Sequence, residues 1–309
     1  MYHGIINVYK EAGYTSHDVV ARLRGICKQK KIGHTGTLDP DAVGVLPVCL
    51  GNGTKLCDLL ADRTKEYIAV LRLGIVTDTQ DMSGMVLSRN NAEVDQEQVK
   101  QVIASFQGEQ QQIPPMYSAL KVNGKKLYEL AREGKEIERK TRPVTGYEIE
   151  VIKETHPEYT IRVNCSKGTY IRTLCHDIGQ RLGCGGAMAS LSRTRVGEFK
   201  IDQAYTLDQL QSLAEKGQLS QVVIPVEKMF ENIPGVYVKE GSFKALKNGN
   251  QLKSGELQLK ESAAGSDLDI IKDGQEVRVY DHRGIFYGIY SYRRQYRLFS
   301  PVKLFIPEM

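Results

Sequence analysis

The chain has no tryptophan and only 7 phenylalanines beside 16 tyrosines, so nearly all of its aromatic surface carries a hydroxyl. A tyrosine ring stacks on a flat partner and still offers a hydrogen bond, which suits nucleobases, although most of these residues fit ordinary strand and core positions. Paired cysteine motifs are missing too. The six cysteines, at 27, 49, 57, 165, 175 and 184, form no C-x-x-C and have no histidine at metal-ligand spacing. They read as buried free thiols of a reducing cytoplasm, with no metal site. No apolar run approaches bilayer length and the N-terminal residues lack a signal-peptide core, so a cytoplasmic protein without membrane contact is expected. Neither G-x-x-x-x-G-K-[ST] nor G-x-G-x-x-G occurs; Gly51-Asn52-Gly53-Thr54-Lys55 has the flavour of a phosphate loop without its spacing. Nucleoside triphosphates and dinucleotides are therefore not expected, and no metalloprotease helix, nucleophile elbow or deaminase signature replaces them.

At 309 residues the chain is long enough for a large domain and a small one. A net charge of +5 permits a polyanionic partner without requiring one. Basic residues nevertheless cluster at Lys28, Lys30 and Lys31, at Lys121, Lys125 and Lys126, and from Arg283 through Arg293, Arg294 and Arg297 to Lys303. Hydrophobic periodicity predicts a strand from His3 to Val8 and a helix capped by Thr15-Ser16 with Val19, Val20, Leu23 and Ile26 inward. Strands at 43–50 and 65–73 and a helix at 94–106 follow. The polar, basic stretch 107–139 reads as an arm inserted into the fold, with a hairpin turn at Asn123-Gly124 and a helix over 127–132. Beyond it come strands at 144–152 and 159–165, a helix capped by Thr169, a strand near 190–199 and a helix near 207–215. Gly217 to Pro234 reads as a linker, placing a boundary between domains 1–234 and 235–309, the second a small β-barrel of short alternating segments.

One loop, Gly33-His34-Thr35-Gly36-Thr37-Leu38-Asp39-Pro40-Asp41-Ala42-Val43-Gly44, sets a lone carboxylate among glycines beside a histidine. Pro40 forces Asp39 toward an extended conformation and aims its side chain from a rigid turn. Alone, such an Asp-Pro is more often a structural turn whose Asp caps its own backbone. Its company decides. Residues 33–47 resemble the catalytic motif of the TruB family, the bacterial tRNA pseudouridine-55 synthases, and further segments match in order. Lys65-Glu66-Tyr67 through Gly74, followed by Thr77-Asp78-Thr79-Gln80-Asp81, resembles the family's stacking-tyrosine strand. Ile113 to Gly134, with Pro-Pro-Met-Tyr-Ser-Ala-Leu-Lys, resembles its RNA-gripping insertion. Cys165 to Thr173 resembles the segment that supplies the catalytic arginine. Gly186 to Arg195 matches as well, with Ser192 in place of the more usual arginine.

The resemblance implies an α+β fold, a pseudouridine synthase catalytic domain with a mixed, largely antiparallel central sheet flanked by helices, followed by a PUA-like RNA-binding barrel. It implies cleavage of a uridine's bond between N1 and ribose, rotation of the base and reattachment through carbon 5, with no cofactor. Asp39 would act as nucleophile or base, Arg172 as its partner and Tyr67 as the stacking ring, with His34, Tyr170, Leu191, Gly36 and Thr37 around the uridine. Lys121, Lys125, Lys126, Arg193 and Arg195 are expected on the RNA backbone, the partner being the T arm of tRNA with no protein partner required. Burial alone raises a carboxylate's pKa by up to about 3–5 units, and a guanidinium opposes that shift. Three other readings remain open at this level: a non-catalytic tRNA-binding or RNA-folding protein, a guide-RNA-dependent synthase, and a phosphate-loop nucleotide binder.

Overall fold

The structure, a computed structural model, describes residues 1–260 and 271–307. Strand β1 (Gly4–Lys10) leads to helix α1 (Ser16–Cys27), where Thr15 and Asp18 close a reciprocal capping box and Val19, Val20, Leu23 and Ile26 are buried. The glycine loop begins not as a loop but as a short strand, β2 (Ile32–His34), paired with the far end of β3 (Val43–Leu50). Helix α2 (Cys57–Ala61) precedes β4 (Lys65–Leu73), whose strict alternation of buried and half-buried residues suits a sheet covered on one face. A separate hairpin, β5 (Ile75–Thr77) and β6 (Val86–Arg89), is followed by α3 (Gln96–Ala104), capped by Asp95.

The first residues expected in the arm belong instead to the sheet. Strand β7 (Gly108–Gln112) is an edge strand, so the arm proper starts after Gln112 and carries β8 (Lys121–Val122), β9 (Lys125–Lys126) and the short helix α4 (Leu127–Arg132). Strands β10 (Arg142–Thr155) and β11 (Glu158–Cys165) lead to α5 (Ile171–Arg181), then β12 (Gly186–Val196), β13 (Phe199–Lys200) and α6 (Leu207–Glu215). Thr169 does not cap α5: the N-cap residue is Tyr170, and the Thr169 hydroxyl donates to the Ser166 carbonyl at 3.0 Å.

The nine strands of this sheet run in the order β1-β3-β12-β4-β11-β10-β7, with β2 on β3 and β13 on β12. Every pair is antiparallel except β3 with β12, which touch only through Val43 opposite Ser192 and Gly44 opposite Arg193. The two backbones come so close there that a Cβ on Gly44, at φ +107°, would sit 2.2 Å from the Arg193 carbonyl. Beyond that point β3 takes β2 as its neighbour, and loop 35–42 lies between the two partners. One core lies between the sheet and α3 and α5, a second under α1 and α6.

Among the described residues, a second, barrel-like sheet has six strands, β14 (Gly235–Val238), β15 (Leu252–Lys253), β16 (Leu257–Leu259), β17 (Glu276–Tyr280), β18 (Phe286–Arg293) and β19 (Leu298–Leu304), in the order β15-β19-β18-β17-β14-β16. The stretch read as a linker is packed: Leu219, Val226 and Phe230 are buried, and Ile224 exchanges two backbone hydrogen bonds with Ile5. Phe230, Phe286 and Phe305 then join a core shared by both sheets. The phosphate-loop look of Gly51–Lys55 also resolves into packing. The segment is a 3-10 turn on β1, where a Cβ on Gly53 would stand 2.4 Å from the Gly4 carbonyl, and Lys55 Nζ donates to the Leu304 carbonyl at 2.7 Å. No helix among the described residues is long and apolar enough to cross a membrane.

Candidate active site

Loop 35–42 has almost no regular backbone pairing, so its carbonyls need other donors. Two buried cations supply them. Lys10, at the end of β1 and 0% exposed, donates to the carbonyls of Pro40 at 2.9 Å and Ala42 at 2.6 Å. Arg193, 1% exposed on β12, donates through Nε to Val45 at 2.7 Å and through its terminal nitrogens to Gly36 at 3.2 Å and Thr37 at 3.4 Å. Ser16 on α1 accepts the Leu38 N–H at 2.9 Å. Loop 35–42 is thus held from three elements at once, with the Asp39 side chain left pointing out of it.

That side chain meets Arg172, on the first turn of α5. Nε lies 3.0 Å from Oδ2 and Nη2 lies 3.3 Å from Oδ1, a two-pronged contact that fixes the plane of the carboxylate. The guanidinium is itself enclosed, its side chain 7% exposed, and its remaining donors reach Asp81 Oδ2 at 3.3 Å and the carbonyls of Thr79 at 3.2 Å and Tyr117 at 2.8 Å. The Asp39 side chain remains 36% exposed, which leaves it accessible to an incoming group. Crowding by protein raises its pKa above the usual carboxylate value; Arg172 opposes the shift, Asp81 adds to it and Lys10 opposes it again. The neighbouring arginine therefore offsets the burial of Asp39 only in part. Burial likewise draws Lys10 down to about 8, with Asp39 and Asp41 opposing.

Tyr67 on β4 stands opposite Arg193 in the strand register and is buried, which raises its phenol pKa. Leu191, opposite Ala69, belongs to the same core as Tyr67 and Leu38. Tyr170, half-buried at the start of α5, is also raised by burial, and the buried Ser118 hydroxyl lies beside its phenol without a hydrogen bond of good geometry. His34 ends β2; its Nδ1 accepts the Gly36 N–H at 3.3 Å, which puts the proton of the neutral ring on Nε2. Burial, then His17 and Arg193, hold its pKa below the ordinary histidine value.

The cations expected on RNA divide. Lys121 and Lys125 are exposed in the arm, Lys125 in a loose pair with Glu133 at 3.8 Å. Lys126 donates to the Tyr128 hydroxyl at 3.1 Å, and Arg195 is partly covered by Glu66 at 3.6 Å. Arg193 requires correction: its guanidinium faces inward onto three carbonyls, so no phosphate reaches it. Sequence reasoning missed Lys10, Asp81 and Gln112 as parts of the site. Asp81 lies in a matched segment, Thr77–Asp81, and that was its one signal; a lysine ending a buried strand and a glutamine at a sheet edge carry none.

Comparison with known proteins identifies the family and the fold. Residues 24–171 match the profile of the TruB family pseudouridylate synthase N-terminal domain, and residues 172–231 that of the tRNA pseudouridylate synthase B C-terminal domain, ending before β14. The tRNA pseudouridine synthase B of Lachnoclostridium phytofermentans is 52% identical, over 98% of this chain and 100% of that one. That of Clostridium kluyveri is 43% identical over 98% and 99%. Among solved structures, a chain of an H/ACA RNP bound to a substrate RNA containing 2'-deoxyuridine aligns over 99% of this chain and 86% of its own, with a TM-score of 0.69 and 28% identity. A chain of a Cbf5-Nop10-Gar1 complex gives the same TM-score, 0.69, at 30% identity, covering 99% and 85%.

Proposed function

The chain belongs to the TruB family of pseudouridylate synthases, and from that premise we propose that it converts uridine 55 in the T loop of tRNA to pseudouridine, with Asp39 opening the reaction. The observation that carries this reading is the two-pronged Asp39–Arg172 contact at 3.0 and 3.3 Å, on a loop held by buried cations, with the carboxylate partly exposed. The bond at N1 breaks, a bond at carbon 5 forms, and the carbon-5 hydrogen gives way to one on N1, so the isomerisation balances without a cofactor. A carboxylate starts it by attacking the base, attacking the ribose or removing a ribose proton. Arg172 fixes its direction in each case.

Bringing the uridine out of its stack costs a few kcal/mol, and stacking on Tyr67 returns about 1–3 kcal/mol, so one ring does not hold the base alone. Tyr170 and Leu191 add walls, and the His34 Nε2–H supports the opened loop. Exposed Lys121 and Lys125 grip the backbone, and residues 235–309 act as an RNA-binding domain of PUA type beside the catalytic residues 1–234. The test is mass-spectrometric mapping of tRNA incubated with the protein alone. Pseudouridine at T-loop position 55 is the expected result. Unmodified tRNA would favour a binding protein, and modification only with a guide RNA would favour a guide-dependent enzyme.

A further inference from the structure

The arm departs from Gln112, the last residue of β7, and the amide of that residue is directed at the catalytic turn. Gln112 is 5% exposed; its Oε1 accepts the Tyr170 N–H at 2.8 Å and its Nε2 donates to the Tyr170 carbonyl at 3.0 Å. Both hydrogen bonds fall on the N-cap residue of α5, two positions before Arg172, whose own side chain does not cap the helix. After Gln112 come Ile113, Pro114 and Pro115, whose ring-fixed φ angles stiffen the chain. Five residues on, the Tyr117 carbonyl takes the Arg172 Nη2–H at 2.8 Å, and Arg139 at the far end of the arm donates to the Pro114 carbonyl at 3.2 Å. The root of the arm is therefore a short, stiff strap. One end holds the backbone beside Arg172, the other holds the guanidinium itself, and the strap continues into the hairpin bearing Lys121 and Lys125.

We propose that Gln112 is a positioning residue through which the seating of the arm sets the Arg172–Asp39 geometry, so that engagement of RNA by the arm is felt at the carboxylate. The proposal rests on the activity proposed above. It requires the donor half of the amide as well as the acceptor half. An ionised glutamate at 112 keeps the acceptor for the Tyr170 N–H but loses the donor to the Tyr170 carbonyl; a protonated one regains it.

The test compares single-turnover rate and tRNA affinity for wild type, Gln112→Ala, Gln112→Glu and, as an edge-strand control, Gln111→Ala, from pH 5.5 to 8. Gln112→Ala is expected to lower the rate about tenfold or more with affinity within about threefold, since misplacement of a reacting group acts on rate before binding. For Gln112→Glu, the rate relative to wild type at the same pH is expected to rise by about threefold or more as pH falls, the ratio removing the part of the profile that the two proteins share. Because Gln112→Glu keeps size and shape, it carries the test alone should Gln112→Ala not fold. A pH-independent ratio, rates within about twofold of wild type, or equal losses in rate and affinity would each overturn the proposal. Failure of the wild type to form pseudouridine would instead remove the underlying activity, a result told apart by the wild-type lane alone.

Discussion

Around Asp39 the cations are sealed in, Lys10 at 0% and Arg193 at 1% exposure, and their donors go to backbone carbonyls. In the arm they stand in water: Lys125 and Lys135 share Glu133 at 3.8 and 2.8 Å, with lysine side chains more than half exposed. A surface pair of that kind contributes about 0–1 kcal/mol, so a phosphate can displace it at little cost. Buried donors cannot be exchanged in that way, because removing one strips a buried carbonyl such as that of Val45 of its donor, at about 1–3 kcal/mol. The same residue types thus build a rigid floor in one region and an exchangeable grip in the other.

The sharpest break between the two regions comes from Arg172→Met. The single-turnover rate should fall by about 10²–10³-fold or more, as for loss of an oriented charge partner, with tRNA affinity nearly kept. Arg193→Met should lower both melting temperature and rate, because the buried Val45 carbonyl loses its donor at about 1–3 kcal/mol; a variant as stable as wild type would mean the loop does not depend on that guanidinium. Asp81→Asn keeps the shape of the second carboxylate and removes a charge that raises the Asp39 pKa, so the acid limb of the rate is expected to move to lower pH, again without loss of binding.

A pH profile sharpens the contrast further. Asp39 must be ionised to act and its pKa is raised, so the acid limb of the rate should lie above the pH at which a free aspartate titrates. The sign for stability is opposite to that of an ordinary salt bridge: the folded state favours the protonated form, so ionising Asp39 with rising pH lowers stability. Asp39→Asn should therefore fold at least as stably as wild type near neutral pH, as a thermal melt can check. The smallest effects belong to the arm. Lys121→Ala and Lys125→Ala should each weaken tRNA binding across sequences, reduce the salt slope by about 1 and leave the rate at saturating tRNA unchanged.

Periodicity and capping made much of this legible beforehand. The helix starting after Thr15, the buried run 43–50 and the alternating run 65–73 fall where the pattern put them, because each element carries its own signal. Edge strand β7 was not readable: Gly-Glu-Gln-Gln-Gln has no apolar alternation, and only pairing with 142–146 makes it a strand. The burial of Lys10 and Arg193 was hidden for a related reason. Their acceptors are carbonyls about 30 and 150 residues away along the chain, a long-range geometry that local charge counting reverses.

The most direct measurement is the extent of pseudouridine formation in one turnover by Asp39→Asn, made alongside its tRNA dissociation constant. The account predicts no detectable product with an affinity close to wild type and an intact melt. Product formed at anything near the wild-type rate would contradict it, whatever the fate of binding.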